Sequence, residues 1–320
     1  MEKLLDERHH ELLAQVASMY YERDLTQTQI ADELGLSRVK IYRLLQEARQ
    51  HNIVQINIRW PLSSDNGLET ALKETFGLKE AMVVRANGQN ETRTLQQLGQ
   101  LGARYLETIL RHTTTMAICL GRSTYSVIHA ISPDFQANVQ VAQAIGNMPR
   151  IYKEFDSSAL VAQLARKLGG EVTYLSSPLM ADTIEAASVI RSQRDIVWAL
   201  DVARSAEVAL VGIGNLDTEI SGFVRAGFLS DEALADIRSD GAVGDVAWRI
   251  ITESGELYPC DFNHRVIGIT LEELRQIPTT IAVAAGMEKA QAVLAALRTG
   301  VIDVLITDNR VAEFVLRNVN

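Results

Sequence analysis

The apolar positions of the first fifty residues predict three short helices. Between residues 8 and 22 they recur at the i, i+3, i+4 and i+7 spacing of an amphipathic helix. Thr26 is the expected N-cap of a second, short helix, and the glutamine three residues later completes a capping box. Gly35 can adopt the left-handed conformation that ends this helix, and Ser37 can cap a third helix that runs to about residue 51.

A strand and a domain boundary are predicted next. Residues 53–58 alternate apolar and polar side chains and are rich in isoleucine and valine, which favours a strand or wing packed on the three helices. The stretch 61–67 contains proline, serine, aspartate, asparagine and glycine, which are typical of turns. We therefore expect an N-terminal domain at 1–61 and a larger domain at 62–320.

The larger domain alternates apolar strand-like runs with helical patterns, which predicts an α/β fold with a doubly wound, mostly parallel sheet. The runs lie at 81–84, 115–120, 139–145, 171–175, 207–213, 279–285 and 303–307. The helical patterns lie near 68–76, 93–111, 156–168, 181–203, 230–238, 287–299 and 309–317. In such sheets ligands bind at the carboxyl ends of the strands.

Composition narrows the class of protein. The 320 residues are 47% hydrophobic and 22% charged, which is ordinary for a globular chain. No apolar run approaches the roughly 20 residues that span a bilayer, and the N-terminus does not resemble a secretory signal, so we expect a cytoplasmic protein without a membrane partner. Cys119, Cys260 and the histidines lack the spacing of a metal site, so we expect neither a metal nor a cofactor.

Charge is distributed unevenly. The net charge is −9, yet residues 34–60 contain five cations and one acid. A local basic face on an acidic chain is compatible with DNA binding, because salt screens charges over about 10 Å.

The second and third helices form a helix-turn-helix pattern with an exposed side suited to the major groove of DNA. Arg38 and Tyr42, one turn apart, are the best candidates for base contacts, whereas Arg43 and its neighbours suit phosphates. The alternative is an ordinary three-helix bundle whose charges are merely solvated. The residues predicted to contact DNA are Gln27, Thr28, Ser37, Arg38, Val39, Lys40, Tyr42 and Arg43.

Three strand-end loops of the larger domain contain ligand-type residues. Lys289 follows a glycine near the start of a helix, where a bound anion would favour a cation and a solvated surface lysine is the alternative. The segment 120–124 combines a glycine, an arginine and two hydroxyls. The segment 241–245 reads as a glycine-rich turn that ends in Asp245, whose carboxylate could accept hydrogen bonds from sugar hydroxyls.

These motifs, in this order, resemble the SorC family of sugar-responsive bacterial regulators, also called DeoR-like sugar-binding regulators. The resemblance covers nearly the whole chain. The resemblance is found in the segments 25–45, 76–84, 120–124, 177–181, 211–214, 241–245, 263–268, 286–290 and 305–308.

The resemblance implies a winged helix-turn-helix followed by an effector domain similar to sugar-phosphate isomerases and deaminases. It implies that a phosphorylated sugar modulates binding to double-stranded operator DNA and that the protein is a homodimer or homotetramer. Carried over by position, the effector-binding residues are Gly121, Arg122, Ser123, Thr124, Gly146, Asn147, Asp245, Arg265 and Lys289. The chain departs from the family at Asn147 and Ala285, where paired glycines are common, so the identity of the effector cannot be inherited.

Two other functions compete with a regulator. A sugar-phosphate isomerase or deaminase could use Asp245 and His264 as acid and base, but an enzyme has no use for a helix that reads DNA. A protein-interaction module would explain the helices but not the glycine-containing strand ends. We therefore expect a carbohydrate-responsive transcription regulator, and not an enzyme.

Overall fold

The computed structural model describes residues 7–51, 53–54, 62–86, 91–148, 156–219 and 221–319. The chain divides into two compact units, 1–59 and 60–320. The helices are α1 (Glu7–Tyr21), α2 (Gln27–Leu34), α3 (Arg38–Gln50), α4 (Asn66–Phe76), α5 (Glu91–Ile109), α6 (Arg122–Ala130), α7 (Ser157–Leu168), α8 (Ile184–Arg191), α9 (Arg194–Arg204), α10 (Gly222–Arg225), α11 (Asp231–Ser239), α12 (Asp261–Arg265), α13 (Leu271–Gln276), α14 (Ala290–Arg298) and α15 (Asn309–Arg317). The strands are β1 (Glu80–Val84), β2 (Thr115–Ile118), β3 (Gln140–Gln143), β4 (Val172–Thr173), β5 (Val208–Asn215), β6 (Ala242–Val246), β7 (Arg249–Thr252), β8 (Thr279–Val283) and β9 (Val304–Asp308).

The N-terminal unit has the three predicted helices with the predicted caps. The Thr26 hydroxyl accepts a hydrogen bond from the Gln29 N–H at 3.3 Å, and Gln29 Oε1 accepts one from the Thr26 N–H at 2.9 Å. Gly35 ends α2 with φ 66°, and the Ser37 hydroxyl caps α3. Apolar residues from all three helices form a buried core, on which Ile53 and Val54 pack. The rest of the predicted wing at 53–58 lies outside the described residues, as does the predicted boundary at 61.

The larger unit is built on a sheet whose central strands are parallel, as predicted. The strand order is β1-β9-β8-β5-β2-β3-β4. All five residues of β9 are buried, and three of the four in β2 are. Successive side chains of a strand point to opposite faces, so both faces of these strands are covered.

The sheet has a topological switch point between β2 and β5. From β2 the chain continues to β3 and β4 on one side, and it then returns to β5, β8 and β9 on the other. At such a point the connections leave adjacent strands in opposite directions and open a crevice at the carboxyl ends.

Two predictions for this unit are wrong. The segment 241–245 is not a turn: residues 242–246 form β6, which pairs antiparallel with both β5 and β7. The helical pattern at 181–203 is two helices, because α8 ends before Ser192 and α9 begins at Arg194. The short helices α10, α12 and α13 were not predicted.

Candidate functional site

A cavity of about 450 Å³ lies at the switch point. The carboxyl ends of β2 and β5 contribute to its wall, together with the residues that follow β8. The predicted effector segments after β2 and β8 therefore meet there, as the ends of parallel strands should. Asp245 joins them from the antiparallel strand β6. The lining residues are Glu91, Leu95, Cys119, Leu120, Gly121, Arg122, Ser123, Gly212, Ile213, Gly214, Asn215, Gly222, Phe223, Arg225, Asp245, Ala247, Trp248, Ala285, Glu288 and Lys289.

The loop after β2 presents a helix N-terminus to the cavity. Gly121 has φ 153° and precedes α6, whose N-terminus is capped by no side chain. Arg122 and Ser123 in the first turn line the cavity, and the Arg122 guanidinium lies 3.6 Å from the Glu91 carboxylate. Backbone N–H groups at a helix N-terminus together with a guanidinium suit an oxyanion.

Lys289 is half-buried rather than a solvated surface residue. It ends a 3-10 turn and is the N-cap residue of α14, and its Nζ donates a hydrogen bond to the carbonyl of Ile213 at 2.9 Å. Burial and the positive charge of Arg122 lower the pKa of its ammonium group, while nearby carboxylates oppose the shift. A bound anion would counter both causes of the lowered pKa.

Asp245 reaches the cavity because β6 pairs with the end of β5. Asp245 lies opposite Gly214 in the ladder, and a Cβ atom at Gly214 would come within 1.9 Å of its Oδ1. Asp245 is 8% exposed. Burial raises the pKa of its carboxyl to about 7, although the Trp248 N–H and Lys289 act to lower it.

The turn between β6 and β7 carries backbone strain. Ala247 and Trp248 have φ values of 51° and 63°, which non-glycine residues rarely adopt. Both line the cavity. The Trp248 ring packs edge-on against Phe223, with ring centroids 5.1 Å apart.

Four predicted effector residues are not among those that line the cavity. Thr124 is buried, and its hydroxyl donates to the carbonyl of Gly121 at 2.8 Å. A Cβ atom at Gly146 would meet the carbonyl of Pro178 at 2.2 Å, so this glycine serves close packing. Asn147 bonds to Gln143 and to the carbonyl of Leu175.

The resemblance implies that Arg265 meets the anionic or polar end of the ligand, but Arg265 is not among the residues that line the cavity. Its Nε donates to the carbonyl of Ala181 at 2.8 Å. The same segment is held by Arg249, a buried cation whose guanidinium donates to the carbonyls of Asn263 and Gly268. The motif at 263–268 therefore anchors the chain to β7, and His264 does not line the cavity.

Sequence reasoning missed other lining residues. Arg225 is exposed and projects from α10, a helix of four residues that has too few turns for a periodic pattern. Trp248 was missed because the segment 241–245 was interpreted as a turn, whereas Phe223 lies on α10, the same four-residue helix as Arg225. Cys119 is buried in the cavity wall, and burial raises the pKa of its thiol to about 12, so it stays a neutral thiol.

The N-terminal unit exposes the predicted reading face of α3. Val39 is 61% exposed and Tyr42 is 52% exposed, and Arg38, Lys40 and Arg43 are also exposed. The Ser37 hydroxyl accepts a hydrogen bond from the Lys40 N–H at 3.2 Å and so fixes the start of this helix. Gln27 and Thr28 lie in the first turn of α2, where Gln27 is half-buried and Thr28 exposed.

Comparison with known proteins identifies the class. Residues 61–317 match the family model described as "Putative sugar-binding domain". The full-length sorbitol operon regulator SorC of Klebsiella pneumoniae has a similar structure, with a TM-score of 0.72 at 29% identity over 97% of this chain and 100% of that chain. The chain belongs to the SorC family of sugar-binding transcriptional regulators.

Whole-chain relatives agree with this SorC-family assignment. The transcriptional regulator LsrR of Enterobacter sp. (strain 638) is 31% identical over 312 residues, covering 96% of this chain and 93% of that protein. The sorbitol operon regulator of Klebsiella pneumoniae is 30% identical, covering 96% and 98%. The prediction of a regulator and not an enzyme is confirmed.

Among the residues that the structure describes, no helix is long and apolar enough to cross a bilayer. Nor do three or more histidine, cysteine, aspartate or glutamate side chains there come together as a metal site.

Proposed function

We propose that this SorC-family regulator binds double-stranded operator DNA through α3, and that a phosphorylated sugar in the strand-end cavity sets its affinity for that DNA. One observation carries the proposal. A buried carboxylate, a half-buried ammonium and an uncapped helix N-terminus, from three separate elements, line one cavity. The hydroxyls of a sugar phosphate can donate hydrogen bonds to the carboxylate, and its phosphate can bind the ammonium group and the helix N-terminus.

The phosphate is assigned to the side formed by Gly121, Arg122, Ser123 and Lys289. The helix N-terminus attracts an anion by a few tenths to about 1 kcal/mol, and the two cations add to this. Glu91 and Glu288 also line the cavity. A phosphate that displaces Arg122 from Glu91 exchanges an exposed ion pair, worth little, for a charge-assisted contact in a recess.

The sugar is assigned to Asp245 and the aromatic wall. Asp245 Oδ2 already accepts one hydrogen bond, from the Trp248 N–H at 3.1 Å, and a carboxylate can accept several. Phe223 and Trp248 offer apolar surface to the C–H face of a carbohydrate.

The DNA partner is assigned from the exposed face of α3. Arg38 and Tyr42 are positioned for base edges, and Lys40, Arg43, Gln27 and Thr28 for the backbone. A single short helix reads only one half-site. Paired half-sites roughly 34 Å apart require at least a homodimer, which a homotetramer also provides.

Thermal denaturation against a panel of phosphorylated pentoses and hexoses tests the effector assignment. A ligand at 100 times its Kd stabilises the protein by about 2.7 kcal/mol. Arg122→Gln and Lys289→Gln should each lose most of that shift, whereas Arg166→Gln, an exposed cation on α7, should keep it. Equal shifts with unphosphorylated sugars, or full shifts in both cavity variants, would overturn the assignment.

A further inference from the structure

Helix α9 exposes an apolar centre on the face that points away from the sheet. Its inner face buries Ile196, Ala199, Leu200 and Ala203. On the other side Trp198 is 58% exposed and Val197 is 39% exposed. Tryptophan is enriched among the residues that dominate binding at protein interfaces, so this apolar pair suits an interaction surface.

Two opposite charges lie one turn to either side of this pair. Arg194, Val197, Trp198 and Asp201 follow the i, i+3, i+4 and i+7 spacing, so they form one stripe about 10 Å long. Arg194 is exposed and, within the described part of the chain, has no hydrogen bond or salt bridge. Asp201 is exposed and contacts Arg204 at 2.7 Å.

The stripe is complementary to itself. When two identical helices pack antiparallel, the residue numbers of each facing pair add up to the same value. A two-fold axis between positions 197 and 198 therefore places position 194 of one copy opposite position 201 of the other. Arg194 of one copy then faces Asp201 of the other, twice, and Val197 faces Trp198, twice. A two-fold interface requires this reciprocity, and an apolar centre with a charged rim is the usual composition of an interface.

We propose that α9 is a homodimer interface, in which two copies of this chain pack antiparallel through Trp198 with Arg194 and Asp201 paired across the axis. The preceding helix α8 also exposes an apolar side chain, Val189, which is 60% exposed. The stripe carries one cation and one acid, so it offers no basic surface for a nucleic acid or an anionic membrane. The inference supplies the second copy that paired half-sites need, but it does not depend on the identity of the effector.

Sedimentation velocity of the full chain from 1 to 100 µM, without DNA or sugar, tests the interface. Trp198→Ala should raise the dissociation constant of the dimer at least tenfold, or reduce a tetramer to dimers. Leu257→Ala, a leucine exposed to 38% near β7, is the matched control and should not change it. All these side chains are exposed, so an unchanged far-UV circular dichroism spectrum should confirm that the variants fold.

Charge reversal distinguishes a second copy from a foreign partner. Arg194→Asp and Asp201→Arg should each weaken association several-fold, because each places two like-charge pairs across the axis. The double variant should return to within about threefold of wild type, since its charges match again. A monomeric wild type, association unaffected by Trp198→Ala, or no rescue in the double variant would each overturn the proposal. Because the effector cavity is untouched, a sugar-phosphate thermal shift in Trp198→Ala reports separately on the proposed function.

Discussion

The carboxylate of Asp245 accepts a hydrogen bond from the backbone N–H of Trp248 at 3.1 Å. This bond closes the turn between β6 and β7 against the cavity, and the turn residues have positive φ. Under the proposed function, a ligand hydroxyl at Asp245 would bind the same carboxylate that holds the turn. Effector binding would then be coupled to the conformation of the hairpin through one side chain.

The pKa of Asp245 predicts how stability depends on pH. The native protein keeps this proton up to about pH 7, whereas the unfolded chain loses it near the ordinary value of 3.8. Between these values the native state binds more protons, so the contribution of Asp245 to stability falls as pH rises. Asp245→Asn should therefore stabilise the unliganded protein by about 2–4 kcal/mol at pH 8 and by little at pH 4.

Thermal denaturation at both pH values checks this expectation. Asp236→Asn, at an exposed position of α11, is the control and should change stability little at either pH. A gain in Asp245→Asn that does not depend on pH would mean that the carboxyl is ionised throughout the range.

Gly214 and Gly212 form a matched pair on β5. A Cβ atom at Gly214 would lie 1.9 Å from Asp245 Oδ1, whereas one at Gly212 would meet nothing within 4 Å. Gly214→Ala should lower the free energy of unfolding by about 1–3 kcal/mol, which is typical of overpacking, and should displace the Asp245 side chain. Gly212→Ala should leave stability close to wild type. Denaturant titration measures the free energy of unfolding of both variants. Equal losses of stability would show that the Asp245 side chain has room to move.

The strained turn predicts a stabilising substitution. Ala247 has φ 51°, and glycine adopts this conformation without strain. Ala247→Gly should stabilise the unliganded protein by about 1 kcal/mol. Ala233→Gly in α11 should act in the opposite direction by about 0.5–1 kcal/mol. Chemical denaturation measures both, and a loss of stability in Ala247→Gly would contradict the assignment of strain.

The DNA face predicts different effects for two arginines of α3. Arg43→Ala should weaken binding to all sequences and reduce the salt slope by about one counterion. Arg38→Ala should weaken the free energy of DNA binding by about 1–3 kcal/mol and should also relax the preference at one base position. Fluorescence titrations with operator and unrelated duplexes, over a range of salt, separate the two. Wild-type affinity and selectivity in both variants would show that α3 is not the reading helix.

The sequence predicts the parts of this molecule that depend on local chemistry. The caps at Thr26 and Ser37 and the glycine after α2 are short-range signals, and all three lie where predicted. The parallel strands were predicted because they are apolar on both faces. The position of the cavity followed from the rule that ligands bind at carboxyl strand ends.

The features that the sequence does not predict depend on contacts between distant segments. The glycines of β6 suggested a turn, but Gly244 is a packing site, since a Cβ atom there would lie 2.4 Å from that of Ala292. Arg265 resembles a ligand-binding cation in sequence, and only the structure shows its bond to the carbonyl of Ala181. The role of Arg249, buried among carbonyls, has no sequence signal at all.

The hydrogen bond from Lys289 to Ile213 decides the effect of removing this lysine. A lysine at a helix N-terminus opposes the helix dipole, so the dipole alone would leave unliganded Lys289→Ala equally stable or slightly more stable than wild type. The substitution also deprives a backbone carbonyl of its donor, at a cost of about 1 kcal/mol. We expect a small net loss of stability, which chemical denaturation of the unliganded variant would measure.

Operator affinity with and without a sugar phosphate tests the central claim most directly. Fluorescence anisotropy of a labelled operator should show at least a tenfold change in Kd, about 1.4 kcal/mol, when a stabilising sugar phosphate saturates the protein. The unphosphorylated sugar should produce no change, and neither should the phosphate in Lys289→Gln at the same concentration. An operator Kd that is the same with and without every stabilising ligand would contradict the account.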